Sequence, residues 1–147
     1  MLSDLFGIHL SFSALLLRIV LGIIFIVHGY PKLFKKDFGP RGFSGFLKNI
    51  GVPSPLLFAY VVAIVEFFGG ALLIIGLFTR LSAIAIAINM FVAIWKVKGK
   101  TGLVTKVMEG GWAGGYELDL ALMIMAIVLI IMGAGIFSID HIICNQQ

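Results

Sequence analysis

Residues 55–78, with the sequence PLLFAYVVAIVEFFGGALLIIGLF, decide the fold, because Glu66 is the only charged residue among them. An α-helix needs about 20 apolar residues to cross the hydrocarbon core of a bilayer. An apolar run of this length therefore predicts a transmembrane helix and not a buried strand. Pro53 and Pro55 lie at the start of the run, where proline is tolerated at the first positions of a helix.

Three further apolar blocks lie at about residues 12–30, 81–97 and 116–137. Of the 147 residues, 61% are apolar and 12% are charged, whereas about 25% are charged in an ordinary soluble domain. The chain has too few polar groups to cover a water-exposed surface, and it is too apolar to be disordered. We therefore predict an all-α fold: an integral membrane four-helix bundle, with residues 1–147 forming a single domain.

The connection after the first block has a helical pattern of its own. Apolar residues recur at Phe43, Phe46, Leu47 and Ile50, and Gly51 follows as a helix stop. This spacing indicates a short interfacial amphipathic helix in the first cytoplasmic loop, lying on the membrane surface as an anchor. A lid or a docking surface is the alternative role.

The basic residues indicate the orientation in the membrane. Nine of them lie in the two long connections, and only Arg80 lies in the short one. The excess of Lys and Arg in cytoplasmic loops places both long connections inside and both termini outside a cell membrane. The net charge of +4 is therefore a topology signal and not a nucleic-acid surface. The start of the chain has no basic segment, so we expect no cleaved signal peptide. The nine basic residues of the two long connections are Lys32, Lys35, Lys36, Arg41, Lys48, Lys96, Lys98, Lys100 and Lys106.

Polar residues inside the apolar blocks are the candidates for function, since they are costly in lipid and usually face the bundle interior. Arg18, Glu66 and Asn89 each lie on a helical stripe of small residues, which favours close helix packing. At about 1.5 Å per residue, Arg18 lies roughly 9 Å and Glu66 roughly 18 Å below the outer edge. We predict that Arg18 contacts Glu66 with Asn89 nearby, as a binding pocket or as a purely structural ion pair.

A second polar group is expected at the cytoplasmic ends of the first and fourth helices. It consists of His28, Lys32, Tyr116, Glu117 and Asp119. A histidine exchanges protons near neutral pH, so this group is a candidate for proton exchange or head-group contact. His28 has no histidine partner at its depth and Cys144 is the only cysteine, so we expect no metal site; His28 with Glu117 and Asp119 is the minor alternative. No catalytic residue is assigned.

Six segments resemble the motifs of the DoxX family of small membrane proteins, and the resemblance as a whole covers about Leu15 to Asp140. They are HGYPKLF at 28–34 (family pattern HGxxKLF), GVPSP at 51–55 (GxPxP), EFFGG at 66–70 (ExxGG), GLFTR at 76–80 (GLxTR), NM at 89–90, and GAGIFSID at 133–140. The last segment resembles the pattern GPGxxSLD, with Ala134 in place of proline.

The resemblance implies a four-helix membrane protein connected with oxidoreductases. Some relatives are linked to quinone-dependent sulfur oxidation, as the DoxD subunit of thiosulfate:quinone oxidoreductase, or to thiol-stress complexes with soluble redox enzymes. No agreed catalytic role comes with the matching polar positions. Those positions are Arg18, His28, Lys32, Glu66, Arg80 and Asn89.

The expected function is a membrane redox subunit that binds a quinone or another lipophilic electron carrier. Its expected partners are the lipid bilayer, a soluble or membrane oxidoreductase subunit and further copies of the chain, with no nucleic acid. Two alternatives stay open. One is a transporter or channel for a small solute or proton with Glu66 as the carrier, and the other is a noncatalytic scaffold for a soluble redox enzyme.

Overall fold

The computed structural model describes residues 2–99, 101–108 and 111–145. Within these residues the regular secondary structure is helical except for one short ladder, in which β1 (Lys106–Met108) pairs antiparallel with β2 (Gly111–Ala113). The all-α, membrane-type fold is confirmed. The α-helices are α1 (Leu2–Phe34), α2 (Gly39–Asn49), α3 (Pro55–Ile75), α4 (Thr79–Ala93), α5 (Glu117–Met132) and α6 (Ile139–Cys144), and a π-helix (Ile94–Lys98) continues α4.

The C-terminal ends of α3 and α5 follow local backbone chemistry, whereas the end of α1 does not. Gly76 ends α3 at φ 70° and Gly133 ends α5 at φ 79°, a region of backbone space that glycine enters freely. As a result α5 stops at Met132, before the predicted end near residue 137. The exception is α1, which continues through Pro31 to Phe34 although a proline disfavours helix at the residue before it; this last turn is held by packing against α3.

Three segments are long and apolar enough to cross a membrane: Gly7–Phe34, Pro55–Ile75 and Thr79–Lys98. The third includes the π-helix. By contrast, α5 has 16 residues and is about 24 Å long, somewhat shorter than the hydrocarbon core of about 30 Å. Four crossings therefore stay a prediction, whereas α1, α3 and α4 together with the π-helix have membrane-spanning length.

The two longest helices pack backbone against backbone through small residues. A Cβ added at Gly22 of α1 would lie 2.6 Å from the carbonyl oxygen of Gly70 in α3. One added at Gly29 would lie 2.9 Å from the Cα of Phe67. Any larger side chain at these positions would push the helices apart, as expected for small-residue contacts between membrane helices. The predicted stripe of small residues on α1 is therefore its contact surface with α3.

The core lies midway along the bundle and separates two polar ends. Leu21, Leu73, Ile86 and Leu129 are fully buried there. We call the end that carries Lys32, α2 and the π-helix the lysine end. Beneath α2 a separate small apolar cluster, centred on Phe43, Leu47 and Ala59, holds this helix against the bundle. The helix predicted in the first connection is thus present as α2.

At the opposite end, which we call the termini end, α6 caps α4. The backbone N–H groups of Phe78 and Thr79 donate to Oδ1 and Oδ2 of Asp140 at 2.8 and 2.9 Å. In return, the N–H of Asp140 donates to the carbonyl of Gly76 at 2.9 Å. Because α4 has no capping bond from its own N-cap side chain, the cap comes from a residue about 60 positions later in the chain. The start of α4 and the start of α6 therefore meet at the termini end.

Candidate functional site

A cavity of about 250 Å³ lies at the lysine end, between the ends of five helices. Its walls are mostly apolar, and the polar groups that reach it come from different helices. Phe43, Phe46 and Leu47 of α2 form one side. The polar and charged lining residues are His28, Lys32, Glu66, Asn89, Lys96, Lys98 and Asp119.

Glu66 is the most deeply placed charge in this cavity. Its carboxylate accepts two hydrogen bonds from Lys32 Nζ, at 2.7 Å to Oε1 and 2.6 Å to Oε2. Asn89 Nδ2 donates to Oε1 at 3.0 Å. The side chain of Glu66 is only 4% exposed, so its charge is balanced almost entirely by Lys32 and not by water. The predicted neighbourhood of Glu66 and Asn89 is confirmed.

The predicted contact between Arg18 and Glu66 is wrong. Glu66 pairs with Lys32, and Arg18 Nη2 instead donates to the carbonyl oxygen of Phe137 at the termini end. The physical reason is that helical side chains lean toward the N-terminus of their own helix. Arg18 therefore leans away from the bundle centre, whereas Lys32, on the same helix, leans from the lysine end toward the centre and meets Glu66.

Arg18 is fully buried at the termini end. A Cβ at Gly76 would overlap its Nη1 atom, so the guanidinium lies directly against the C-terminal turn of α3. The negative end of that helix dipole favours a cation there. Among the described residues, the Nε and Nη1 atoms of Arg18 have no hydrogen-bond partner. The structure thus places Arg18 among the contacts that join α1, α3 and the segment before α6, outside the lysine-end cavity.

A second lysine–carboxylate pair lines the same cavity. Lys98 Nζ lies 2.6 Å from Asp119 Oδ2, and the two side chains are 33% and 11% exposed. Asp119 was predicted as a site residue, but Lys98 was interpreted only as a topology signal. The π-helix Ile94–Lys98 carries this lysine, and such turns are frequent at functional sites.

The remaining predicted residues fall into two groups. His28 is exposed and lines the cavity together with Lys32 and Asp119. Tyr116 and Glu117 are not among its lining residues. Glu117 accepts a hydrogen bond from the N–H of Thr105 at 3.2 Å, and the N–H of Tyr116 donates to the carbonyl of Gly102 at 3.2 Å. These two residues therefore anchor the connection that precedes α5.

Lys32 also links the cavity to α2. Its Nζ atom lies 4.9 Å from the centroid of the Phe43 ring, within the range of a cation–π contact. Phe43 in turn stacks on Phe46, with ring centroids 6.0 Å apart and planes 16° from parallel. Across the described residues, no group of three or more His, Cys, Asp or Glu side chains is arranged to hold a metal ion.

Three membrane-length helices around a cavity near one end of the bundle define the class: an integral membrane protein. The DoxX family model matches residues 13–99, and the chain belongs to this family. It is 34% identical over 128 residues to a Bacillus subtilis protein named "Putative oxidoreductase CatD", covering 87% of this chain and 84% of the relative.

Two further relatives are named as uncharacterized proteins. One is an uncharacterized membrane protein of Mycobacterium tuberculosis, 31% identical over 139 residues, with 88% of this chain and 80% of the relative covered. The other is an uncharacterized protein of Haemophilus influenzae, 32% identical over 127 residues, with 85% and 86% covered. No solved structure matches the chain.

Proposed function

We propose that the lysine-end cavity binds the head group of a quinone, or of a similar lipophilic electron carrier, for a partner oxidoreductase. The observation that carries this proposal is the convergence of apolar walls with a few hydrogen-bonding side chains in one cavity at the lysine end of the bundle. Small-molecule sites combine these two features, since apolar walls supply burial and polar groups fix the orientation. The name of the Bacillus subtilis relative supports a redox role.

The size of the cavity supports a ring-sized head group. Its volume of about 250 Å³ is just below the range of about 300–1,000 Å³ that is usual for drug-sized ligands. A single substituted ring suits this space, and an apolar tail would leave it between the helices toward lipid. The stacked pair Phe43 and Phe46 offers a flat apolar surface on one side.

The polar groups suit a head group that accepts hydrogen bonds. Asn89 uses one of its two amide protons on Glu66, and the second is available toward the cavity, which it lines. Lys32 donates to Glu66 from an ammonium that has three protons. Three lysines and two carboxylates line the cavity, so the charge favours a neutral or anionic head group over a cationic one.

A bound quinone would supply two-electron, two-proton carrier chemistry, with the electrons exchanged with the partner oxidoreductase. The chain's own groups hold and move protons. Glu66 and Asp119 are the carboxylates in the cavity that can accept a proton, and His28 is exposed and can pass it to the aqueous phase. Lys32 holds the carboxylate of Glu66 in position through two hydrogen bonds.

The partner would meet the chain at the lysine end, which we place on the cytoplasmic side of the cell membrane. Lys35, Lys36 and Arg41 are exposed there and form a basic surface that suits an acidic protein. If the chain were a noncatalytic scaffold, reversing the charges of Lys35 and Lys36 would release the partner. In that case the Glu66→Gln variant would have no effect on activity of the complex.

A transport function is less well supported by the packing. The fully buried side chains of Leu21, Leu73 and Ile86 fill the bundle between the cavity and the termini end. A solute or proton carried by Glu66 would have to cross this apolar layer. Proton or solute flux into liposomes that disappears in Glu66→Gln would favour transport over the proposed role.

The test is equilibrium binding of decylubiquinone, a short-chain quinone, to the purified protein in lipid nanodiscs. We expect saturable binding by the wild type. In Asn89→Leu we expect binding at least about tenfold weaker, because the cavity no longer offers the amide donor of Asn89 to the head group and the shape of its wall changes. The matched control is Asn49→Leu, which changes an exposed asparagine outside the cavity. Absence of saturable binding by the wild type, or equal weakening in both variants, would contradict the proposal.

A further inference from the structure

Lys98 lines the cavity although an uninterrupted α-helix would direct it elsewhere. An α-helix turns about 100° per residue, so the nine residues from Asn89 to Lys98 would place Lys98 about 180° from Asn89 around the axis. Asn89 faces the cavity and bonds Glu66. Lys98 would then face away from it, yet in the structure both residues line the cavity.

The π-helix accounts for the difference. Its i→i+5 hydrogen bonding widens the turn, so each residue rotates by roughly 80° around the axis, compared with about 100° in an α-helix. Over five residues this difference adds up to about 100°, which turns Lys98 back toward Asn89. The five residues Ile94–Lys98 form this π-helix. The exposure of the π-helix residues agrees with this rotation. Trp95 is 66% exposed and faces outward, whereas Val97 and Lys98 line the cavity.

We infer that the π-helix makes Lys98 a specificity-determining residue of the cavity. It turns the lysine inward onto Asp119, and the resulting pair is a second contact for the ligand's head group beside Lys32 and Glu66. The pair is more exposed than Lys32–Glu66, at 33% and 11% against 20% and 4%. The inference rests on the proposed function, because it assigns a role within the same binding site.

The chemistry of the pair indicates which ligands it selects. An ammonium held beside a carboxylate keeps donors free for a second acceptor, because it has three protons. Lys32 and Lys98 are contributed by different helices, so two of the three lysines that line the cavity approach a head group from separate directions. This arrangement favours a head group with two hydrogen-bond-accepting oxygens over a head group with one.

The first experiment tests the placement of Lys98 without any ligand. In a Cys144→Ser background, the pair Lys98→Cys/Asp119→Cys is treated with a bifunctional thiosulfonate reagent whose spacer has about the length of a lysine side chain. We expect an intrachain crosslink, detected by mass spectrometry. The matched control Trp95→Cys/Asp119→Cys starts from the outward-facing position of the same π-helix and should give little crosslink. Equal crosslinking of both pairs would overturn the placement.

The second experiment tests the role in binding, with decylubiquinone as the probe and the protein in nanodiscs. We expect at least about tenfold weaker binding in Lys98→Met, because a partly desolvated charge pair has lost one partner. Lys98→Arg, which keeps the charge and the donors, should stay within about threefold of the wild type. The control Lys48→Met removes an exposed lysine that does not line the cavity and should leave binding unchanged.

The third experiment tests whether Lys98 recognises the second acceptor oxygen of the head group. It compares binding of decylubiquinone with binding of a similar probe that has one ring carbonyl in place of two. We expect Lys98→Met to reduce the preference for decylubiquinone over this probe. Equal loss for both probes would overturn the specificity role.

The outcomes separate this inference from the function on which it rests. Wild-type binding that is unchanged in Lys98→Met would overturn the inference and leave the proposed function in place. Binding that falls in Lys98→Met and is not recovered in Lys98→Arg would also overturn it, because a purely packing role would explain the loss. Absence of binding in every variant, with the wild type included, would overturn the proposed function and the ligand contact of Lys98 together.

Discussion

The pairing of Glu66 with Lys32 is the more deeply buried of the two ion pairs that line the cavity. Glu66 is almost fully buried and Lys32 is about one-fifth exposed. Removing one member of such a pair leaves a charge with no compensation. We therefore expect Glu66→Gln to lower the free energy of unfolding by about 3 kcal/mol, measured by reversible denaturant titration in mixed micelles.

The double variant Lys32→Met/Glu66→Gln is the informative comparison. It removes both charges, so we expect it to recover most of the stability that Glu66→Gln loses. The exposed pair Lys36→Met/Asp37→Asn serves as the control, since both residues are exposed and surface changes usually stay within about 0.5 kcal/mol. If the double variant were as unstable as the sum of its single variants, the two side chains would not be coupled.

Sequence reasoning predicted which residues face inward better than it predicted their partners. The stripes of small residues correctly oriented Glu66 and Asn89 toward the interior, because the spacing of a helix determines its faces. Depth alone suggested Arg18 as the partner of Glu66. Helical side chains point toward the N-terminus of their own helix, and in two antiparallel helices this direction brings Lys32 and not Arg18 to Glu66. The same rule could have been applied to the sequence once the direction of each helix was predicted.

At the scale of elements, the contact between α1 and α3 depends on glycine. Gly22→Val would place carbon atoms where the carbonyl oxygen of Gly70 and the side chain of Ile74 now lie. Overpacking of this kind costs about 1–3 kcal/mol, and backbone contact leaves little room to relax. We expect the unfolding midpoint of Gly22→Val in detergent to fall clearly below that of the wild type.

The control for this prediction lies on the same helix. Gly7→Val introduces the same side chain at a position where an added Cβ meets nothing within 4 Å. It should change the midpoint little. Equal destabilisation by both variants would mean that valine acts through helix propensity and not through the contact between the helices.

The elements show where sequence patterns stop being informative. Long apolar runs predicted α1, α3 and the apolar part of α4, and the spacing of Phe43 and Leu47 predicted α2. No periodicity marks the π-helix, because its residues fit an α-helix equally well. Lys98 was therefore counted with the topology signals. In the same way, the cap that Asp140 provides for α4 joins segments too distant in sequence for a local capping pattern to reveal.

At the scale of the whole molecule, the first turns of α1 and the whole of α6 lie at the termini end, opposite the lysine end. Arg18 bonds the carbonyl of Phe137, and Asp140 binds the start of α4. Both contacts belong to the termini end, so α1 starts and α6 ends on the same side of the bundle. An even number of crossings produces this arrangement. It supports the prediction that α5 crosses the membrane despite its 16 residues.

The single cysteine allows a direct test of the orientation in cells. Cys144 is exposed at the termini end, and the excess of basic residues at the other end predicts that this side is extracytoplasmic. A membrane-impermeant maleimide should therefore label Cys144 in intact cells. In a Cys144→Ser background, Ser44→Cys on α2 should react only after permeabilisation, and Cys144→Ser alone should not react. Protection of Cys144 together with labelling of Ser44→Cys in intact cells would show that the bundle is inserted the other way round.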